Sequence, residues 1–568
     1  MGYYGDVVHP SRAGLHGFLA TPVSEDGGRD HFSPPTCTKT WFHQGAVGDE
    51  DGDFAELDLS AEFWSGDAGL LDHKKGVDAF LRTLGNRRMR RDALRALRGS
   101  VLRSEFYALD GTERADRPYT VTEHAYGLRP EAGAADGPAV FFPHHVAQRA
   151  TQWERGDDPL TQFTFTETGD YDAYGQILRS TGVACPRGWR KLDDAPTEPY
   201  LATRTLTNYA TPTGPDQYLF NRVARTTSFE LKNNGGLTIE DLRGLPDDSP
   251  SLVIFGQSYN YYDGPPFQGL PFGQVGLFGA LVRAENLVLT EEILRDAYRS
   301  GDVVLDPPEE PPYLAPGGTP PWTAEYPEEF RSLVPALAGY VFHTGGPEAQ
   351  DAAGFFAQAA RRGYDFQSLG ASGEGRGLIT TSRDPLGRDT EIVYDDFDLL
   401  PVRVTDPAQL VTQAIYDYRV LKARQITDPN DNLNLFTFTP LGLLKESFIR
   451  GKSGEGDQEQ PTVRMDYNFL AFQNSTRVDP LNPQPIFVHT TQRVHHDGET
   501  DVPEPERDET IEHREYSDGF GRVLQTRTQA EDILFGDPVF GGAVIPADQT
   551  NQKGTLADVV GRQRDPAD

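Results

Sequence analysis

Sulfur-containing residues and long apolar runs are scarce in this sequence. Only two cysteines, Cys37 and Cys185, and three methionines occur in 568 residues. Two cysteines cannot form the disulfide framework of a small secreted domain, so stability must come from buried surface. No run of about 18 uncharged apolar residues occurs, which argues against a membrane-spanning helix. The start, MGYYGDVVHP, lacks the basic and apolar segments of a secretory signal, so we expect synthesis in the cytoplasm, with export by another route left open.

Positive charge is also in short supply. The chain carries 53 Lys and Arg against 86 Asp and Glu, a formal net charge of −33. Binding to a phosphate backbone needs clustered Lys and Arg, so this balance argues against a nucleic-acid-binding protein. The acidity favours solubility and is compatible with a basic partner or cargo.

Aromatic residues, glycine and proline are abundant by contrast. The sequence has 32 Phe, 23 Tyr, 58 Gly and 43 Pro. Aromatic residues fit pleated sheets, and Gly and Pro end strands at turns, so this mixture predicts a mainly β fold with a few short helices. The mean hydropathy of −0.54 would suit disorder. However, so many aromatic side chains can bury more surface than a disordered chain carries, and we predict a folded chain.

Composition divides the chain into four predicted regions. Residues 1–200 are strand-rich apart from a basic helical segment at 74–103, and residues 201–306 are rich in β-strand patterns, with a short helix predicted over 290–299. Residues 307–376 begin with a Pro-rich linker, PPEEPPYLAPGGTPPW, and continue with a short helix over 351–362. Residues 377–568 have the pattern of repeated β-hairpins.

The basic segment at 74–103 holds ten Lys and Arg. Leu94, Leu97 and Val101 recur at helical spacing and predict one apolar stripe, with a helix stop at Gly85. Two interpretations stay open. The segment is an amphipathic helix whose arginines neutralise nearby acidic strands, or it is a surface that binds nucleic acid or an acidic partner.

An Asp-Pro dipeptide recurs every 22 residues, and an aromatic residue follows each copy at the same distance. The positions are Asp384, Pro385 and Tyr394, then Asp406, Pro407 and Tyr416, then Asp428, Pro429 and Phe438. Such a period indicates a repeat architecture. Because Asp can bond to the following backbone and Pro presets φ, each dipeptide predicts a turn that opens a β-hairpin. A lone hairpin is marginally stable, so the units are expected to pair into one long sheet.

Fainter copies of this unit lie elsewhere and carry a resemblance. They are Tyr171, Asp172 and Gly175, and further on Tyr516, Gly521 and Arg522. A Tyr-Asp-x-x-Gly-Arg pattern at this spacing resembles Rhs/YD repeats. The strings PPTCTKTWFHQGA, LRGSVLRSEFYALDG and DYRVLKARQITDPNDN extend the likeness. Together they resemble the middle region and Rhs repeats of the B component of insecticidal Tc toxin complexes, the SpvB/TcaC-like proteins.

The resemblance implies that the long antiparallel sheet is wound into part of a hollow shell. In that family the B component joins a C component, whose repeats complete the shell around an unfolded toxic C-terminal segment. A propeller of the B component docks on a pore-forming A component. Neither the leading SpvB-type domain nor the propeller is recognisable here, so we expect a fragment, a split gene product or a degenerate member. The resemblance also implies secretion as part of a virulence complex.

Motifs for catalysis, metals and phosphates are weak. The alternating aspartates at 49–53 resemble a calcium loop, but the Gly and Glu of an EF-hand are misplaced. His144-His145 and His495-His496 lack further ligands at metal spacing. FGQSYN lacks the closing glycine of a nucleophile elbow, and GASGEGRG lacks the ending of a phosphate loop. We expect no catalytic residue, no metal and no cofactor.

A non-enzymatic structural role is the leading hypothesis: part of a shell that holds and shields a cytotoxic polypeptide before delivery. If the cargo is basic, the acidic residues are expected to line the inner wall. The alternative is a surface module of Rhs/YD repeats that binds carbohydrate or protein, which an exposed row of Tyr and Trp would favour. A third hypothesis, an enzyme like the ADP-ribosyltransferase of some SpvB relatives, would need clustered acids and an arginine in one pocket.

Overall fold

The computed structural model describes residues 35–48, 54–67, 69, 71, 73–131, 139–190, 198–290, 299–300, 303–304, 339–344, 351–368, 375–518 and 521–529. The described residues up to Asp389 form one unit and those from Thr390 form a second, here called unit 1 and unit 2. This division lies inside the region 377–568 that carries the repeats. The predicted mainly β fold, with long antiparallel sheets and few helices, is confirmed.

Unit 1 is built around one large antiparallel sheet. The strands of unit 1 are β1 (Thr36–Phe42), β2 (Val47–Gly48), β3 (Phe54–Ala55), β4 (Val101–Ala108), β5 (Thr120–Glu131), β6 (Val140–Gln152), β7 (Leu160–Phe165), β8 (Arg179–Ala184), β9 (Leu201–Tyr209), β10 (Thr211–Pro212), β11 (Val223–Leu231), β12 (Leu252–Tyr262), β13 (Gln274–Val275), β14 (Leu281–Thr290), β15 (Arg299–Ser300), β16 (Val303–Val304), β17 (Tyr340–Thr344), β18 (Ala353–Ala359), β19 (Arg361–Tyr364) and β20 (Ile379–Arg383). The sheet order is β1-β4-β5-β6-β7-β8-β9-β11-β12-β14-β18-β17. Most sequence neighbours in it are therefore also neighbours in space.

Alternation of side chains explains how the sheet of unit 1 forms its core. In β7, LTQFTF, every second residue is buried, as expected for a strand with one covered face. Phe163 and Phe165 join Phe229 and Trp189 in the largest apolar cluster. A short helix, α3 (Ile239–Gly244), covers this cluster. Its N-cap Thr238 and Asp241 form a capping box, which satisfies backbone N–H groups at the start of the helix.

The basic segment forms two helices rather than one. They are α1 (His73–Thr83) and α2 (Arg87–Leu97), and the side chain of Asn86 caps α2 by accepting from the N–H of Met89 at 2.9 Å. Leu94 and Leu97 are fully buried against β5 and β6. The prediction that Val101 continues the helical stripe is wrong, because Val101 begins β4. Pairing with Phe42 of β1 fixes that residue in the sheet.

The helix predicted over 351–362 is also wrong. Residues 353–359 form β18, which pairs with β14 on one side and β17 on the other, and β19 follows. Phe355 and Phe356 are buried by these neighbours. Cross-strand packing therefore overrides the helix propensity of the alanines in AGFFAQA. The linker at 307–322 and most of the helix predicted over 290–299 lie outside the described residues, and Thr290 ends β14.

Unit 2 is a sheet whose strands pair in chain order. Its strands are β21 (Asp389–Tyr394, beginning at the boundary), β22 (Pro401–Thr405), β23 (Val411–Asp417), β24 (Lys422–Thr427), β25 (Leu433–Phe438), β26 (Leu444–Arg450), β27 (Val463–Asn468), β28 (Ile486–Arg493), β29 (Thr510–Ser517) and β30 (Val523–Thr528). Each pairs antiparallel with the next. Short helices are α4 (Asp365–Ser368) in unit 1, and α5 (Ala471–Val478) and α6 (Glu504–Arg507) in unit 2.

The described part of unit 2 has few buried side chains. Only Thr405, Asp457, Ala471 and Tyr516 are buried there. None of the four clusters of buried apolar residues includes a described residue of unit 2. Most strand residues are half-buried on both faces, as in β22 and β25. The described residues also contain no helix long and apolar enough to cross a membrane.

Candidate functional site

Each Asp-Pro dipeptide of the repeat begins a turn with the same hydrogen bonds. At Asp428, the N–H of Asp431 donates to the Asp428 carbonyl at 3.0 Å, and the Asp428 N–H donates to the carbonyl of Asn432 at 2.9 Å. The Asp428 carboxylate accepts from the N–H groups of Asn430 and Asn432 at 2.8 and 2.9 Å. The carboxylate therefore holds the turn closed. Turns with the same backbone pairing begin at Asp384, Asp406, Asp172 and Asp518.

A second set of turns lies halfway between the Asp-Pro turns. Asp395, Asp417 and Thr439 each accept from a backbone N–H three residues later. Asp395 lies 11 residues after Asp384 and 11 before Asp406. The 22-residue period therefore corresponds to two strands and two turns. Sequence reasoning placed each repeat aromatic residue on a strand that enters a turn, and it identified the turn TPLG at Thr439–Gly442. It did not identify the turns at Asp395 and Asp417, although the Tyr-Asp dipeptides at 394–395 and 416–417 carry the signal.

In most of these turns the fourth residue takes a left-handed backbone conformation; in the Asp417 turn the fifth residue, Leu421, does so at φ +53°. Gly442 has φ +81°, Gly521 has φ +79° and Gly175 has φ +80°. Glycine adopts this conformation without steric cost, which explains the glycine of the Tyr-Asp-x-x-Gly pattern. Gln409 and Asp431 take the same conformation at φ +65° and +66°. At these two positions no glycine marks the turn, so the sequence pattern is weaker than the structural one.

Turns that are 22 residues apart bond to each other. The hydroxyl of Tyr418 donates to Oδ2 of Asp395 at 2.7 Å, and Nη1 of Arg419 donates to the carbonyl of Thr439 at 2.8 Å. Burial of the Asp395 carboxylate opposes ionisation, but hydrogen bonds from the Leu399 N–H and the Tyr418 hydroxyl outweigh it and lower the pKa. The hydrogen bond to Asp395 raises the pKa of Tyr418 to about 12. The regular spacing thus lets neighbouring turns stack.

The remaining predicted repeat positions lie along the strands and turns. The hydroxyl of Tyr416 donates to the carbonyl of Pro401, and that of Tyr171 to the carbonyl of His145, each at 2.7 Å. Tyr416 thereby bonds β23 to β22, and Tyr171 bonds its turn to β6. Tyr394 and Phe438 end β21 and β25, Tyr516 lies in β29, and Arg522 pairs with Asp518 at 2.6 Å. Pro385, Pro407 and Pro429 are the second residues of their turns. The structure distributes these positions along the chain rather than gathering them into one pocket.

Two cross-strand pairs of aliphatic side chains lie in the unit 2 sheet. Ile392 pairs with Val404 across β21 and β22, and Ala414 pairs with Ile426 across β23 and β24. These four residues are half-buried, whereas Val393 in the same sheet is 52% exposed. The sheet therefore presents apolar groups without a second layer of described residues to cover them.

Unit 1 contains a sealed network of charges that sequence reasoning missed. Arg103 Nε donates to Glu105 at 2.7 Å and its Nη1 to Glu123 at 2.8 Å. Arg149 donates to Glu123 at 2.8 Å and to Asp67 at 2.6 Å. All five side chains are at most 7% exposed. The nearest sequence signal is the spacing of Arg103 and Glu105 within one strand, which places both on the same face.

The network does not provide an open catalytic centre. Its carboxylates are occupied by guanidinium groups, and the indole N–H of Trp153 also donates to Asp67 at 2.6 Å. Neither of the two clefts described below is lined by its residues. Acids and arginines are clustered here, as an ADP-ribosyltransferase-like site would need, but in a closed interior instead of a pocket.

The histidine pairs are engaged by other side chains. His144 lies 3.0 Å from the hydroxyl of Thr168, and His496 lies 2.9 Å from the buried carboxylate of Asp457. Burial lowers the pKa of His124, His144 and His145. No group of three His, Cys, Asp or Glu in the described ranges is arranged to hold a metal ion. The aspartates at 49–53 and most of GASGEGRG lie outside those ranges, and Ser258 of FGQSYN lies within β12.

Comparison with known families identifies one segment of the chain. Residues 92–234 match the family described as the insecticide toxin TcdB middle/C-terminal region. That segment begins within α2 and covers the strands from β4 to β11, with four of the five network residues; Asp67 lies outside it. Comparison with curated proteins finds no match.

Solved structures are similar over most of the chain. A crystal structure of TcdB2-TccC3 matches with a TM-score of 0.60 and 19% identity, covering 88% of this chain and 24% of that one. A TcdB2-TccC3-Cdc42 structure matches with a TM-score of 0.59, 18% identity, and coverages of 88% and 26%. A Tc holotoxin pore of Photorhabdus luminescens with a TccC3 mutation gives 0.60, 18%, 89% and 26%. The chain spans about a quarter of the length of these solved chains. The predicted resemblance is confirmed.

Proposed function

We propose that this chain, a relative of the B components of Tc toxin complexes, forms part of the wall of a shell that encloses and shields a cytotoxic polypeptide. The role proposed is structural rather than enzymatic. The observation that carries the proposal is the sheet of unit 2, which runs from β21 to β30 in chain order without an apolar cluster among its described residues.

A single layer of sheet fits the requirements of a wall. Sheets in globular domains bury at least one face against another layer, because that burial drives folding. In unit 2 the hydrogen-bonded ladder and the bonded turns supply order, while the aliphatic pairs Ile392–Val404 and Ala414–Ile426 stay half-buried. A wall separates an enclosed space from solvent, so its inner face is completed by the contents or by a partner.

The partners follow from the relatives. The solved neighbours carry the name TcdB2-TccC3, which supports a C-type Rhs component as the partner that completes the shell around its own toxic C-terminal segment. The holotoxin pore among them supports delivery of the assembled complex by a pore-forming A component outside the producing cell. The net charge of −33 would favour a basic, unfolded cargo.

The proposal is tested by co-expressing this chain with the product of the neighbouring gene, for which we expect a C-type Rhs protein. Size-exclusion chromatography followed by electron microscopy of the eluted complex should give a hollow particle with both chains in its wall. Charge mapped on the inner wall of that particle should be acidic. A compact monomer that does not bind the co-expressed protein and encloses no cavity would contradict the shell role.

A further inference from the structure

Three aromatic side chains form an exposed platform in unit 1, at a distance in sequence from the repeat sheet. The rings of Tyr174 and Phe220 stack at 4.0 Å with an interplanar angle of 15°. Tyr218 stands nearly perpendicular to Phe220, with ring centroids 5.1 Å apart. Tyr174 is 53% exposed and Tyr218 is 84% exposed. Large exposed aromatic side chains that cluster rather than scatter indicate a binding surface.

The fold holds this platform rigidly before any ligand binds. Asp172 accepts from the N–H groups of Tyr174 and Gln176, each at 2.8 Å, so the turn that carries Tyr174 is closed. The amide of Gln176 then donates to Asp172 at 2.8 Å and to the backbone carbonyl of Phe220 at 2.9 Å. One glutamine therefore ties the two segments of the platform together. A preorganised surface loses little conformational entropy on binding.

The platform borders a groove made of two adjoining clefts. The cleft beside the platform is lined by Asp172, Tyr174, Tyr209 and Phe220 among others, and has a volume of about 300 Å³. The next cleft, also about 300 Å³, is lined by Asp170, Arg179 and Asp247 among others. Leu178 and Asn208 line both clefts, so the two lie side by side. Each cleft is at the lower end of the size range of small-ligand sites, typically about 300–1,000 Å³.

The charge of the groove selects the class of ligand. Asp170, Asp172 and Asp247 line it, and two of them are paired with arginines: Arg179 lies 2.8 Å from Asp170, and the buried Arg204 lies 2.9 Å from Asp247. The groove therefore has a net excess of one carboxylate, which disfavours phosphate, sulfate or sialic acid. Carboxylate and amide oxygens accept hydrogen bonds from hydroxyl groups, and aromatic faces pack against the apolar C–H face of a sugar ring.

The apolar area is too small and too interrupted for a stable protein interface. Three rings bordered by the carboxylate of Asp172 fall far below the roughly 800 Å² per partner that such interfaces bury. From the stacked platform, its polar groove and its carboxylate excess, we infer that unit 1 binds a neutral oligosaccharide, whose sugar rings stack on Tyr174 and Tyr218. This site is separate from the proposed shell wall and does not need a partner chain.

The experiment uses the full chain on an array of immobilised neutral, sialylated and sulfated oligosaccharides, followed by calorimetric titration of the best neutral probe. Tyr218→Ala and Tyr174→Ala should each weaken binding by about tenfold or more, since exposed aromatic anchors dominate small interfaces. Phe397→Ala is the matched control. Phe397 is also an exposed aromatic residue two positions after a turn aspartate, but it lies in unit 2.

Loss of neutral-glycan binding in both tyrosine variants, with Phe397→Ala unchanged and all melting temperatures preserved, supports the site. Binding restricted to sialylated or sulfated probes overturns it, because the carboxylates would repel them. Retention of no probe, or retention unaffected by either tyrosine substitution, overturns it as well. None of these results depends on shell assembly, so a failure here leaves the wall proposal to its own test.

Discussion

Units 1 and 2 are both antiparallel sheets, but different interactions stabilise them. In unit 1 the sheet buries four apolar clusters and a sealed network of arginines and carboxylates. In the described part of unit 2 four residues are buried, and the order comes from strand pairing and from carboxylates that close the turns. A repeated turn can therefore fix the register of a sheet whose described residues form no apolar core.

Because of this difference, we expect the stability of the two units to depend differently on other molecules. A core formed by a unit's own residues stabilises that unit in isolation. In a single layer of sheet, apolar side chains are buried only when another molecule, such as a partner chain or the cargo, covers the sheet. Unit 1 should therefore be stable alone, and unit 2 should be stabilised by its partner or cargo.

The sharpest way to break unit 1 is to remove one member of the sealed network. Asp67→Ala leaves the guanidinium groups of Arg149 and Arg103 short of a buried partner, so the free energy of unfolding should fall by about 3–5 kcal/mol. Urea titration followed by tryptophan fluorescence measures it, because all five tryptophans of the sequence lie before Asp389. The indole of Trp153 bonds to Asp67 itself, so its emission should also change.

Asp157→Ala is the control for that substitution. Asp157 pairs with Arg117 at 3.1 Å, but its side chain is 80% exposed, and exposed pairs contribute about 0–1 kcal/mol. Equal losses for Asp67→Ala and Asp157→Ala would contradict the claim that the network is sealed.

Matched truncations of phenylalanine compare the two sheets directly. Phe229 in β11 is 1% exposed, so Phe229→Ala should cost about 3–5 kcal/mol. Phe436 in β25 is half-buried and has no cluster around it, so Phe436→Ala should cost about 1–2 kcal/mol. Fluorescence follows unit 1. Far-UV circular dichroism in urea reports both sheets, so the part of its transition that fluorescence does not show follows unit 2. A larger loss for Phe436→Ala would show that unit 2 has a core of its own.

The turns provide a smaller effect. Gly442 has φ +81°, and a Cβ there would lie 3.0 Å from Cγ1 of Val420 in the neighbouring turn. Gly442→Ala should therefore destabilise unit 2 by about 1–2 kcal/mol. Leu441→Ala in the same turn is the control: Leu441 is 75% exposed, and its removal should change the free energy by less than about 0.5 kcal/mol. The dichroism transition measures the free energy of unfolding of both variants. Equal losses for Gly442→Ala and Leu441→Ala would contradict the claim that the turn fixes the strand register.

Acid should weaken unit 1 before unit 2. Burial lowers the pKa of His124, His144 and His145 in the folded state, so below about pH 6.5 the unfolded chain binds more protons and stability falls. Hydrogen bonds from Asn432 lower the pKa of Asp428 in unit 2, and that contribution is present above about pH 4 and is lost only below it. Between pH 7 and pH 5.5 the fluorescence transition should move to lower urea while the dichroism transition of unit 2 stays. The reverse order would contradict the assignment.

The parts of the fold that depend on local chemistry could be predicted from the sequence. Asp-Pro turns and the β class follow from what Asp, Pro, Tyr and Gly do within a few residues. The turns at Gln409 and Asp431 lack the glycine signal, so their left-handed residues could not be recognised. The strand at 353–359 depends on pairing with β14 and β17, which are distant in sequence.

The interior of unit 1 was the least predictable part. Alternation places Arg103 and Glu105 on one face but does not tell whether that face is buried. The decisive partner, Asp67, comes from a separate segment, so the network appears only once the chain has folded. The aromatic platform is similar, because Tyr174 and Phe220 belong to different segments that Gln176 joins.

Hydrogen–deuterium exchange of the backbone, measured by mass spectrometry on this chain alone and in complex with the proposed C-type Rhs partner, tests the central claim most directly. We predict slow exchange in β5, β6 and β11 under both conditions. Strands β22 to β28 should exchange fast in the isolated chain and slowly in the complex. Equal, slow exchange of both units without a partner would show that the sheet of unit 2 completes itself, and would contradict its assignment as a shell wall.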